Sequence, residues 1–215
     1  MTTVLAKPRL RGWLHTGALP VTLVAGFALV ALGPTLQARL ASAIYAITSG
    51  LLFGISATYH RGTLGPRLAE ALRRFDHANI YLIIAGTYTP FALLALSGAA
   101  RIAVLVVTWG GALAGVLFRV FWIGAPRWLY TVLYLALGWT AVFVMPQLLA
   151  GAGIAAVVLV AVGGVFYSAG AIVYGLRRPD PSPAWFGFHE VFHAFTLAAY
   201  LVQYVAVSIV VYAHA

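Results

Sequence analysis

Seven stretches of mostly apolar residues, each close to twenty long, follow one another with little sequence between them. They run from about 18 to 36, 40 to 59, 80 to 96, 102 to 120, 128 to 149, 154 to 176 and 188 to 212. About twenty apolar residues in an α-helix span roughly 30 Å, the thickness of a bilayer's hydrocarbon core. Hydrophobic residues make up 63% of the chain and charged ones only 8%, where a soluble domain carries about 25%. Water is thereby excluded as the main solvent. In lipid every backbone polar group must be satisfied within the protein, which leaves a helical bundle or a closed barrel. The apolar runs are continuous rather than alternating, and that selects helices. The expectation is an all-α, seven-transmembrane helical bundle, with residues 1–215 forming one integral membrane domain and no soluble appendage.

The loops set the orientation. With the N-terminus inside, the cytoplasmic segments hold Lys7, Arg9, Arg11, Arg61, Arg67, Arg73, Arg74, Arg119, Arg127, Arg177 and Arg178, and the opposite side holds only Arg39 and Arg101. Eleven against two is a strong positive-inside bias. It places the N-terminus in the cytoplasm and the C-terminus outside, in a multi-pass protein of the plasma (inner) membrane. The same bias accounts for the net charge of +9 without nucleic acid as a partner. The basic lead before the first apolar run has the look of a signal-peptide start, but the run is long and further spans follow, so it reads as a retained span. Cysteine is absent, so any metal must be held by His, carboxylate or water.

Several irregularities have a packing explanation. Pro90 should kink the third helix, with Thr87 and Thr89 re-satisfying freed carbonyls. Gly110, Gly111, Gly115, Gly163, Gly164 and Gly170 suit close helix contact. Trp122, Trp128 and Trp185 fall where interfacial anchors do.

Six histidines and four acids are few enough to consider singly. His15 in the basic lead and His214 beside the last residue are expected in water or headgroups. Glu70 reads as part of an amphipathic interfacial loop, and Asp180 as part of a Pro-rich turn. The remainder converge. His60 closes the second span, Asp76 and His77 open the third, and His189 and His193 open the seventh, all at the cytoplasmic end of the bundle. His189 and His193 are four apart, hence on one helix face, and Ser56 shares a face with His60. Three imidazoles make an open zinc site of the catalytic kind, with Asp76 as general base or as orienter of a water. His77 points about 100° away from Asp76 and is read as structural. His189-Glu190-Val191-Phe192-His193 also matches the H-E-x-x-H of zinc metalloproteases, whose third ligand would here have to come from His60.

A larger pattern accompanies these residues. Ser56-Ala57-Thr58-Tyr59-His60, Asp76-His77-Ala78-Asn79-Ile80, Ile84-Ala85-Gly86-Thr87-Tyr88-Thr89-Pro90-Phe91 and His189-Glu190-Val191-Phe192-His193 together resemble the haemolysin III family, the bacterial branch of the progestin and adiponectin receptor superfamily. The resemblance implies a seven-helix bundle with a cytoplasmic N-terminus and a zinc ion in the cytoplasmic leaflet held by His60, His189 and His193. Asp76 would position a water at the ion, with Ser56 nearby. Because the superfamily includes alkaline ceramidases, the resemblance also implies hydrolysis of a lipid amide or ester. The long N-terminal domain of the eukaryotic receptors has no counterpart here, which puts hormone binding out of reach.

Two classes of function follow as expectations. One is a zinc-dependent membrane hydrolase with membrane lipids as partners and a lipid as substrate. The other is a membrane-state sensor or haemolysin-like protein whose zinc is structural. A transporter with the His/Asp cluster as proton relay is a third reading, and it would gain from inverted repeats, of which the sequence has none.

Overall fold

A computed structural model of the chain describes residues 7–122 and 124–213. Nearly all of it is helix: α1 (Trp13–Ala31), α2 (Leu36–Arg61), α3 (Pro66–Pro90), α4 (Gly98–Phe121), α5 (Arg127–Gly138), α6 (Met145–Leu176) and α7 (Phe188–Ala213). A π-helical turn, Phe91–Ala95, extends α3, and a 3-10 segment, Trp139–Val144, joins α5 to α6. By length and composition six continuous helical stretches can cross a membrane, the fifth being Arg127–Leu176.

That fifth stretch holds 50 residues, about 75 Å if straight, more than twice the hydrocarbon thickness. It does not run straight. Gly153 has φ 78° and ψ 167°, a conformation essentially confined to glycine. Residues on either side of it meet in antiparallel order. The Tyr130 and Tyr174 rings are 6.3 Å apart, and Trp139 Nε1 donates to Ser168 Oγ at 3.0 Å. The stretch is a helical hairpin.

The exterior is apolar and the interior carries the polar side chains. On α1 the buried residues are His15, Ala18, Thr22, Gly26 and Leu29, a single stripe, while Val21, Val24 and Phe27 face out. On α4 the stripe is Val104, Thr108, Ala112, Gly115 and Arg119. A water-soluble protein shows the reverse arrangement. Several inward hydroxyls are satisfied within their own helices: Thr108 bonds the Val104 carbonyl and Ser49 that of Tyr45. The chain is thus a multi-pass membrane protein. Its third helix is central, packing against α2, α4, α5 and α7, while α1 packs on α2 and α7.

Several boundaries differ from the sequence reading. The first helix ends at Ala31, so Pro34 lies beyond it. The third begins at Pro66 rather than near 80. Glu70 is therefore helical, not in a loop, and pairs with Arg74 one turn on at 2.5 Å. The extra turns are amphipathic, with Arg67 and Arg73 turned outward, which the search for a purely apolar run could not include. Past Pro90 the helix widens into a π turn. Thr87 and Thr89 bond the Ile83 and Ala85 carbonyls, not that of Gly86, which the missing Pro90 N–H leaves free. Of the six glycines, Gly111, Gly115, Gly163, Gly164 and Gly170 lie against neighbouring side chains, and Gly110 faces open space. Trp122, Trp128 and Trp185 are exposed.

Candidate metal centre

Local chemistry at the start of α7 aims its histidines. Phe188 N donates to Asp180 Oδ1 at 2.8 Å, and Gly187 N to Glu190 Oε2 at 2.9 Å. These carboxylates satisfy N–H groups that the first turn leaves free. Glu190 Oε1 receives Arg11 Nε. With both oxygens engaged and 1% of the residue exposed, Glu190 caps and anchors the helix, and the H-E-x-x-H reading loses its general base. Asp180, read as incidental, is likewise a helix cap.

The segment before α1 is tied over the same end. Arg9 N and Leu10 N donate to the Ala184 and Trp185 carbonyls at 3.0 and 3.1 Å. Lys7 Nζ donates to the His60 carbonyl at 2.5 Å, at the C-terminus of α2 where a helix attracts cations. Burial, then the neighbouring Arg11 and Arg61, hold the Lys7 ammonium below its usual pKa.

Within this frame His60, His189 and His193 come together from sequence positions up to 133 residues apart (193 − 60). One ring nitrogen of each lies within 4.8 Å of the others, an arrangement that could hold a metal ion. His60 and His193 are buried and His189 is half-buried. The Nε2 atoms of His60 and His189 are 3.2 Å apart. Two nitrogens bound tetrahedrally at zinc's usual distance lie about 3.3 Å apart, so the donors are of a type zinc takes and the His60–His189 pair has a matching spacing. Asp76 Oδ2 is 3.7 Å from His60 Nε2 and outside the three-nitrogen cluster. Ser56 is buried beside Asp76, but its hydroxyl makes no hydrogen bond of normal geometry. His77 is outside the three-nitrogen cluster but lines the same cavity as Asp76 and His189; its Nδ1 donates to the Arg73 carbonyl at 2.7 Å, leaving Nε2 to accept from Tyr174 at 3.1 Å.

The sequence reading misplaced one histidine. His15, expected in water, is 2% exposed and stacks on His193 with ring centroids 3.8 Å apart and planes 5° apart. Phe53 meets its other side edge-on at 5.0 Å. His15 is outside the three-nitrogen set, so it would back a metal-holding His193 rather than hold a metal itself. The signal was present: His15 begins the stripe of α1 that continues through Ala18, Thr22 and Gly26. His214 lies outside the described residues.

A cavity of about 130 Å³ opens from this cluster. His15, Asp76, His189 and His193 line one end, and Phe91 and Gln203 the other. Along α3 and α7 that is a reach of about 20 Å. Between the ends its walls are mainly apolar, including Ile80, Ile83, Ile84 and Phe192.

Together these features define a class: a multi-pass α-helical membrane protein with a buried histidine cluster at one end of its bundle. The family follows from comparison with known proteins. Residues 3–204 match the model of the haemolysin-III-related family, and the chain belongs to that family, within the progestin and adiponectin receptor superfamily. Similar proteins include a hemolysin-3 homolog of Bacillus subtilis (strain 168), 34% identical over 69% of this chain and 67% of the relative. The hemolysin-3 of Bacillus cereus is 31% identical over 76% of this chain and 71% of its own length.

Proposed function

We propose that this protein is a zinc-dependent hydrolase of a lipid amide or ester, resident in the plasma membrane. The observation that carries the reading is the three-nitrogen cluster at one end of an apolar cavity, with a carboxylate beside it. His60, His189 and His193 hold the ion. Zinc, when bound, supplies Lewis acidity toward a carbonyl and makes water nucleophilic near neutral pH. The protein's own groups do the rest. Asp76 takes the proton of the attacking water and returns it to the departing amine or alcohol as the C–N or C–O bond breaks. Ser56 lies beside the Asp76 carboxylate, where a small turn of its hydroxyl would let it donate to that group. The apolar cavity holds the acyl chain, and its reach of about 20 Å exceeds the ~15 Å of hydrocarbon in one leaflet.

The topology belongs to the same proposal. With the Arg127–Leu176 hairpin counted as two crossings, the chain crosses seven times, with the N-terminus in the cytoplasm and the C-terminus outside. The basic loops support this orientation. It sets the histidines in the cytoplasmic leaflet, near the depth of lipid headgroup linkages.

The test is metal content of the detergent-purified protein by mass spectrometry, beside His60→Ala and His193→Ala, followed by release of fatty acid from defined lipid amides and esters. About one zinc per chain, lost in both variants, with chelator-sensitive hydrolysis, is the expected result. A folded protein that takes up no zinc would sink the reading. Zinc without hydrolysis of any lipid offered would favour a structural ion.

A further inference from the structure

Apart from the three-nitrogen cluster, α3, α4 and α5 hold a second polar set beside His77, whose ring lies 6.3 Å from that of Tyr130. Arg119, in the last turn of α4, is 4% exposed, and its guanidinium lies 4.3 Å above the Tyr130 ring. Its Nε and Nη1 are buried, and nothing among the described residues accepts from them. Arg127 opens α5 with its guanidinium 5.1 Å from the Tyr174 ring, and its Nη1 is equally without an acceptor. The hydroxyls of Tyr81, Thr131 and Tyr134 are also buried and unpartnered. Ring contacts tie the tyrosines together, Tyr130 to Tyr134 at 5.7 Å and Tyr134 to Tyr81 at 4.9 Å, while Thr131 Oγ1 faces Gly175 on α6.

A guanidinium stays charged in proteins, and a buried charge calls for a counter-charge. No carboxylate among the described residues pairs with either arginine. The four Asp and Glu side chains are engaged elsewhere: Glu70 with Arg74, Asp76 beside His60, Asp180 on Phe188 N and Glu190 with Arg11. The tyrosine faces offset part of the charge, but they accept nothing from N–H groups in the guanidinium plane.

We propose that Arg119 and Arg127, with the hydroxyls of Tyr81 and Tyr134, form an oxyanion site that takes a phosphate group. Three unaccepted N–H-bearing atoms and two hydroxyls exceed what one carboxylate satisfies and suit the several oxygens of a phosphate. Arg127 stands at the first turn of a helix, where the backbone favours an anion. Both arginines flank the α4–α5 connection at a helix end, the depth of lipid headgroups if α4 and α5 cross the bilayer. Free phosphate and the phosphate of a lipid headgroup present the same chemistry. The site stands whether or not the histidines hold zinc.

The test is thermal unfolding of the purified protein in a neutral detergent at constant ionic strength. It is titrated with a short-chain phosphatidylglycerol, with inorganic phosphate, and with a short-chain diacylglycerol lacking phosphate. Saturable stabilisation by the phosphatidylglycerol and not the diacylglycerol assigns a lipid phosphate; saturable stabilisation by inorganic phosphate alone assigns a soluble one. In either case Arg119→Gln and Arg127→Gln should weaken the apparent affinity at least tenfold, while Arg178→Gln, on the exposed α6–α7 connection, leaves it unchanged. Arg127 is only half-buried, so its variant carries the test if Arg119→Gln does not fold. No saturable effect of either phosphate compound on the wild type, or equal affinity in Arg127→Gln, overturns the proposal.

Discussion

His193 contributes both a nitrogen to the cluster and the ring on which His15 lies. His15→Ala removes that support and should lower zinc affinity about tenfold or more, the range seen when groups behind metal ligands are removed. His15→Phe keeps a flat ring against His193 and Phe53 and should restore most of the affinity. Competition with a calibrated chelator measures both, and a phenylalanine variant as weak as the alanine one would show that the imidazole nitrogens matter instead. Glu190 separates two chemistries in the same way. Its buried pair with Arg11 makes Glu190→Ala destabilising by about 3 kcal/mol or more, read as a lowered melting temperature. A metalloprotease-type base would instead give a stable, inactive protein. The spacing of His189 and His193 told which face they share, but not that Glu190 is tied off by a residue of another segment. Partners that distant in sequence leave no periodic trace.

At the scale of elements, close approach sets the tolerances. A Cβ on Gly86 would lie 2.0 Å from Thr48 Oγ1 on α2. Gly86→Ala should therefore force α3 away from α2 and destabilise by about 1–3 kcal/mol, checked by thermal unfolding in detergent. Because α3 also carries Asp76, the same shift should weaken hydrolysis more than zinc binding. The apolar runs made the helices legible, and Pro90 marked where α3 changes. The basic, amphipathic start of α3 was not legible as helix, because its stability comes from outward charges and an Arg74–Glu70 pair rather than from apolar content. The Gly153 hairpin turn falls at the gap expected between the fifth and sixth runs, though helical backbone continues almost through it.

For the whole molecule, the absence of cysteine makes single-cysteine labelling direct. With seven crossings and a cytoplasmic N-terminus, Ser97→Cys and Ala150→Cys should react with a membrane-impermeant maleimide added outside cells, and Arg178→Cys only after the membrane is opened. An unreactive Ala150→Cys would place that residue within the bilayer and remove the seventh crossing. Membrane residence, helical class and the candidate ligands His60, His189 and His193 follow from the sequence alone, because hydropathy and local spacing are properties of neighbouring residues. Only the tertiary structure brought His15 onto His193, engaged Glu190 with Arg11, and enclosed Arg119, counted in the sequence with the loop charges, with no carboxylate of the described residues paired to it. Those relations depend on which helix packs against which, and burial and pairing are decided by that packing rather than by any segment on its own.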